Sequence, residues 1–143
     1  MAVFRDAQHF YDTVGALMDL AKCDPEIGKK IAKSGLIIQF RYTQPEATTT
    51  VNAKEKPTQP GAFVDVIHGP VEWTPEITMT MKADLAHAFW QGKVNLMSAL
   101  AKKEIVLQGS QLKVLQLLPA VTPLFKIYPA LLIDKGYPEL VMK

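Results

Sequence analysis

The chain has 143 residues, 48% of them hydrophobic and 21% charged, with a net charge of +2 at pH 7. That length can bury one sizeable core, so a single domain over residues 1–143 is expected. The charge is small and its Lys and Arg are scattered, which argues against nucleic acid, and no apolar run approaches the ~18–20 residues that span a bilayer. Cys23 is the single cysteine, so neither a disulfide framework nor a Cys-based zinc site can form. The first dozen residues are polar and acidic, without a signal-peptide core, and a soluble cytoplasmic domain is expected.

Phe4, Ala7, Phe10, Val14, Leu17 and Ala21 recur every three or four residues, predicting an amphipathic helix over residues 4–22. Asp24 and Pro25 suit the cap and first position of a second helix, which Gly35 ends. Residues 36–42 place Leu36, Ile38, Phe40 and Tyr42 on one face of a strand. Residues 48–52 are β-prone but polar, so an exposed or edge strand is expected there. A Pro-rich loop over residues 54–61 leads to a strand at 62–67, in which Asp65 should point to solvent.

Residues 76–109 organise the rest. Ile77, Met79 and Met81 alternate with Thr78, Thr80 and Lys82, the period of a half-buried strand. Helical spacing then begins, with Asp84 as the expected N-cap, and Gly92 ends that helix. Asn95 can cap a second short helix through Leu96, Ala99 and Leu100, before a final strand, Ile105-Val106-Leu107, that closes at Gly109. Beyond it, residues 110–118 are apolar nearly all round. Pro119, Pro123 and Pro129 are expected to divide the remaining apolar tail into short buried pieces.

Catalytic chemistry finds little to use. His9, His68 and His87 stand far apart with no metal-ligand spacing, so neither a metal nor a cofactor is expected. No Gly-rich phosphate loop or Gly-x-Ser-x-Gly elbow occurs, and capping explains Asp84 better than general-base catalysis does. What the chain has in surplus is soft apolar side chain. One strand face, two short helices and an apolar tail exceed what one small sheet needs, and a partly empty apolar cavity would absorb the excess.

The stretch ITMTMKADLAHAFWQGKVNLMSALAKKEIVLQG, residues 77–109, resembles the sterol carrier protein type-2, or non-specific lipid-transfer, domain family. The resemblance lies in an alternating strand, a short helix ending at Gly92-Lys93-Val94-Asn95, a small helix and a strand closing in Gly109. Residues 110–118 continue it as a helix over the pocket, with Gly35 to Tyr42 as the first strand. Leu96 stands where the family often has Pro, and Glu76 where it has Asp.

The resemblance implies an α+β fold: a mostly antiparallel five-stranded sheet with helices on one side, enclosing an apolar tunnel. It implies a stand-alone prokaryotic-type member that binds fatty acid, acyl-CoA, phospholipid or sterol-like ligands without covalent chemistry, and that touches membranes transiently. The expected lining is Met79, Met81, Phe89, Trp90, Met97, Leu100, Val106, Leu112, Leu115, Leu118 and Phe125. Two other readings fit the apolar surplus: a small acyl-CoA thioesterase using Asp65, or a partner-binding module whose core is filled, for instance by a second copy in a homodimer.

Overall fold

A computed structural model describes residues 3–142. The N-terminal arm starts at Ala7 rather than at Phe4. Asp6 stands in extended backbone there, and its carboxylate accepts the His9 N–H at 2.8 Å, which fixes the helix start. Phe4 is nevertheless buried, packed edge-on against Phe10. The arm runs as α1 (Ala7–Phe10), a π-helical turn (Tyr11–Gly15) and α2 (Ala16–Cys23). Within the turn the Thr13 hydroxyl donates to the carbonyls of His9 and Phe10, at 2.9 and 3.1 Å. Helix α3 (Pro25–Ala32) begins as its sequence predicts, with the Asp24 carboxylate accepting from the N–H groups of Glu26 and Ile27.

Five strands follow: β1 (Ile37–Thr43), β2 (Ala47–Asn52), β3 (Asp65–His68), β4 (Ile77–Lys82) and β5 (Ile105–Gln108). Their order across the sheet is β3-β2-β1-β4-β5. The central β1–β4 pair is parallel and the other three pairs are antiparallel, so the sheet is mixed but mostly antiparallel.

Two expectations are corrected here. The polar strand β2 is interior, not exposed or at an edge, and Thr49 and Thr50 are buried. Its threonines find partners inside the protein: Thr50 Oγ1 accepts from Gln39 Nε2, and Thr49 Oγ1 bonds His68 Nδ1. Asp65 does not point to solvent either. Its carboxylate is buried, accepting from Thr58 N, Thr58 Oγ1 and Gln59 N, and so ties down the preceding loop. Burial alone would raise the Asp65 carboxyl, but the hydrogen bonds from Gln59 and Thr58 outweigh it and hold the group below the ordinary carboxylate range.

Strand β4 passes directly into α4 (Ala83–Phe89), whose N-cap position is Lys82. Asp84 is therefore not the cap; it lies in the first turn, where its carboxylate accepts the Val3 N–H at 3.0 Å. Asn95 does cap α5 (Leu96–Ala101), accepting from Ser98 N. Ser110 caps α6 (Gln111–Val121), and α7 (Leu124–Asp134) follows. Pro119 and Pro129 sit inside these helices, so the tail forms two helices, not several short pieces, meeting at a bend of 59° beside Pro123. Burial of Leu124, Tyr128 and Leu132, at i, i+4 and i+8, carries α7 through Pro129. Among the described residues no single helix is long and apolar enough to cross a membrane; α6 and α7 meet length and composition only as this bent pair.

The C-terminal segment is fastened to α4 by a buried histidine. His87 Nε2 lies 2.8 Å from the Leu140 carbonyl, which can only accept, so Nε2 carries the proton and Nδ1 accepts from the Tyr128 hydroxyl at 2.8 Å. Gln91 extends the tie by accepting the Met142 N–H. Burial pushes the His87 pKa below that of a free imidazole, against the Leu140 hydrogen bond and the charge of Asp84, which pull it up. The unfolded chain then binds more protons here than the folded one as pH falls below about 6.5. Stability from this group is expected to be full above that pH and to decline below it. Urea midpoints measured from pH 8 to pH 5 should fall through this window for the wild type and stay flatter for His87→Gln.

Candidate functional site

The sheet has two unlike faces. Gln39, Arg41, Thr78 and Thr80 point away from the helices, whereas Ile38, Phe40, Tyr42, Met79 and Met81 point towards them. Between that apolar face and the helices lies a cavity of about 100 Å³. Val51 and Ile105 extend its floor, and Met18, Ala21, Ile31, Leu96 and Leu124 close it from the helical side. Helix α6 covers it with Val114, Leu117, Leu118 and Val121, an i, i+3, i+4, i+7 set.

Five of the side chains expected from the sequence meet in this lining: Met79, Met81, Phe89, Trp90 and Leu118. Leu100 and Leu115 are half-buried against the core without reaching the cavity. Phe125 stands behind the lining, edge-on to Phe89 with ring centroids 5.4 Å apart. Met97, Val106 and Leu112 lie outside it, 51%, 49% and 65% exposed. Each is one step out of phase. Ile105 and Leu107 pair with Met81 and Met79 and share their face, which turns Val106 outward. The Asn95 cap directs Leu96, not Met97, inward, and α6 presents 114/117/118/121 rather than 112/115/118.

The residues missed by the lining expectation carried readable signals. Ile38, Phe40 and Tyr42 stand on the alternating face of β1, and Met18 and Ala21 on the apolar stripe of the N-terminal arm.

Among the described residues no charged side chain lines the cavity, and the polar side-chain atoms of its lining residues are the Tyr42 hydroxyl and the Trp90 indole N–H. Tyr42 is 2% exposed. Burial, with smaller contributions from Tyr11 and Tyr128, pushes its phenol well above the ordinary tyrosine range, so it stays neutral. A void of this size, left empty, costs about 2 kcal/mol at ~24 cal/mol per Å³, and an apolar lining keeps water out. The fold thus carries a hole that an apolar occupant would stabilise.

A second constellation has a different role. His68 Nε2 is 3.1 Å from both Asp19 carboxylate oxygens, and Nδ1 is 3.0 Å from Thr49 Oγ1. The order resembles nucleophile, base and acid, but Thr49 is 1% exposed and no substrate reaches it. It is a strut between α2 and the β2–β3 pair. Among the described residues no group of three His, Cys, Asp or Glu could hold a metal ion.

No protein-family model matches the sequence, and no curated protein is detectably similar to it. Solved structures do match in three dimensions. The chain is similar to sterol carrier protein 2 from Yarrowia lipolytica in its apo form, with 17% identity, 90% of this chain and 98% of that one covered, and a TM-score of 0.61. It is similar to the sterol carrier protein domain 2 of Helicoverpa armigera, with 21% identity, 79% and 91% covered, and a TM-score of 0.61. It is also similar to palmitated SCP2L2 from Aedes aegypti, with 16% identity, 76% and 94% covered, and a TM-score of 0.54. At these identities the likeness is one of fold: the chain has the sterol carrier protein type-2 fold across most of its length.

Proposed function

We propose that this protein binds the apolar part of a lipid in the cavity and carries it through the cytoplasm, between membranes or to an enzyme, without acting chemically on it. In this reading residues 1–143 are one lipid-binding domain. One observation carries the proposal: the cavity is lined by apolar side chains on every side, at the place where the sheet meets all the helices around it. Each methylene moved there from water contributes about 0.8 kcal/mol, so a long chain can offset much of the cost of leaving a bilayer. The cavity as it stands holds only a few methylene groups. Accommodating more falls to Met18, Met79 and Met81, whose unbranched side chains repack easily, and to an outward shift of α6. That the Aedes aegypti protein of the same fold was solved in a palmitated form supports an acyl chain as occupant.

Native mass spectrometry of protein purified without detergent is expected to show a fraction carrying one lipid. The absence of any bound lipid, together with no displacement of a fluorescent fatty acid, would refute lipid binding.

A further inference from the structure

Two residues expected in the cavity lining stand outside it, and they stand together. Met97 and Leu112 are both exposed, and Gln111, the residue before Leu112, brings its Nε2 to 4.0 Å from Met97 Sδ. They border the cavity, since Leu96, next to Met97, and Val114, two residues past Leu112, line it. The charge of this region is one-sided. Residues 93–126 hold five lysines, all exposed, and Glu104 is the single one of the chain's 14 acidic residues among them, although the whole chain carries only +2. Lys93, Lys102, Lys103, Lys113 and Lys126 make no ion pair among the described residues. Glu76, whose backbone lies beside Gly109 just ahead of α6, has its carboxylate taken up by Lys54 and the Ile37 N–H.

We propose that the face shared by α5 and α6 docks on an anionic bilayer: Met97 and Leu112 enter its interfacial layer while Lys93 and Lys113 lie at the level of the acidic headgroups. Exposed apolar side chains accompanied by unpaired cations match that surface on both counts, hydrocarbon beneath and negative charge above. A second copy of the same face fits poorly, because it would set lysine against lysine. The role of the face in lipid uptake rests on the lipid-binding reading above, to which it adds where the membrane is met. Helix α6, which covers the cavity with Val114 and Leu118, is then the helix pressed to the bilayer, so its outward shift opens the cavity to lipid instead of water.

The test is sedimentation with vesicles of phosphatidylcholine alone and of phosphatidylcholine with about a third phosphatidylglycerol, at low and at high salt. The wild type is expected to bind the anionic vesicles about tenfold or more tightly than the neutral ones, and to lose most of that preference when salt screens it. Met97→Ser/Leu112→Ser and Lys93→Glu/Lys113→Glu should each weaken binding to anionic vesicles about tenfold or more. Lys54→Glu/Lys56→Glu, an equal change of charge in the loop after β2, should stay within about threefold of the wild type. All six positions are exposed, so each variant should keep the wild-type urea midpoint and the wild-type uptake of a fluorescent fatty acid from solution. Equal binding to both kinds of vesicle, or an equal loss in the loop variant, would overturn the docking face while lipid binding stands. So would a dimer that Met97→Ser/Leu112→Ser dissolves, since the face would then be a protein interface. A wild type that docks but takes up no fatty acid would refute lipid binding and leave the face in place.

Discussion

Met81→Lys is expected to abolish lipid binding and to lower stability by about 3–5 kcal/mol, the cost of a buried charge with no partner. Met81 lies near the end of β4, buried, with its side chain in the cavity floor between Tyr42 on β1 and Ile105 on β5. Among the described residues no acid lines the cavity to meet an ammonium group there. The large loss of stability would by itself leave the binding result ambiguous, so Leu118→Trp is its companion. Leu118 is half-buried on α6 and faces the same space, where a larger ring fills volume that is already empty. Binding should be lost there too, with a stability change of about 1 kcal/mol or less. Denaturant midpoints and displacement of a fluorescent fatty acid separate the two effects. Undiminished lipid binding by both variants would exclude the cavity as the site.

Gly109→Ala is expected to cost about 2–4 kcal/mol, although the change adds one methyl group at an exposed position. Gly109 has φ +118°, and a Cβ there would stand 2.7 Å from the Glu76 carbonyl oxygen and 3.2 Å from Ile77 Cα. Both clashes are with the β4 entry, which cannot move without disturbing the pairing of Thr78 with Gln108. Gly61→Ala makes the control. That residue also has positive φ, at +70°, but its Cβ would meet nothing within 4 Å, so only the conformational cost of about 1 kcal/mol applies. Urea midpoints of the two variants should differ clearly, and equal midpoints would show that the close approach at Gly109 is relieved without strain.

These two sites also mark what the sequence could and could not disclose. The alternation of Ile77, Met79 and Met81, and of Ile38, Phe40 and Tyr42, is visible in the chain because a strand's period of two survives any tertiary context. The caps at Asp24 and Asn95 are local hydrogen bonds and could be read one by one, whereas the cap expected at Asp84 fell to Lys82 because the strand runs directly into the helix. Phase within short elements was harder. In a run such as Ile105-Val106-Leu107 every residue is apolar, and only the pairing of Ile105 with Met81 decides which side turns inward. The burial of β2 was hidden for a different reason: its threonines look solvent-facing until Gln39 and His68 are brought beside them by the sheet order. Helix continuity through Pro119 and Pro129 likewise depends on packing that no local propensity records.

The parallel pairing of β1 with β4 has a kinetic consequence. It joins residue 38 to residue 77, whereas β2 and β3 pair with near neighbours in the chain. The floor that holds Tyr42, Met79 and Met81 therefore exists only after the most distant of these closures is made, when the sheet is nearly complete. An occupant recognises a feature that late states of folding possess and early ones lack. Its stabilisation should then appear as slower unfolding, with the folding rate almost untouched, so the loaded protein would last longer rather than form faster.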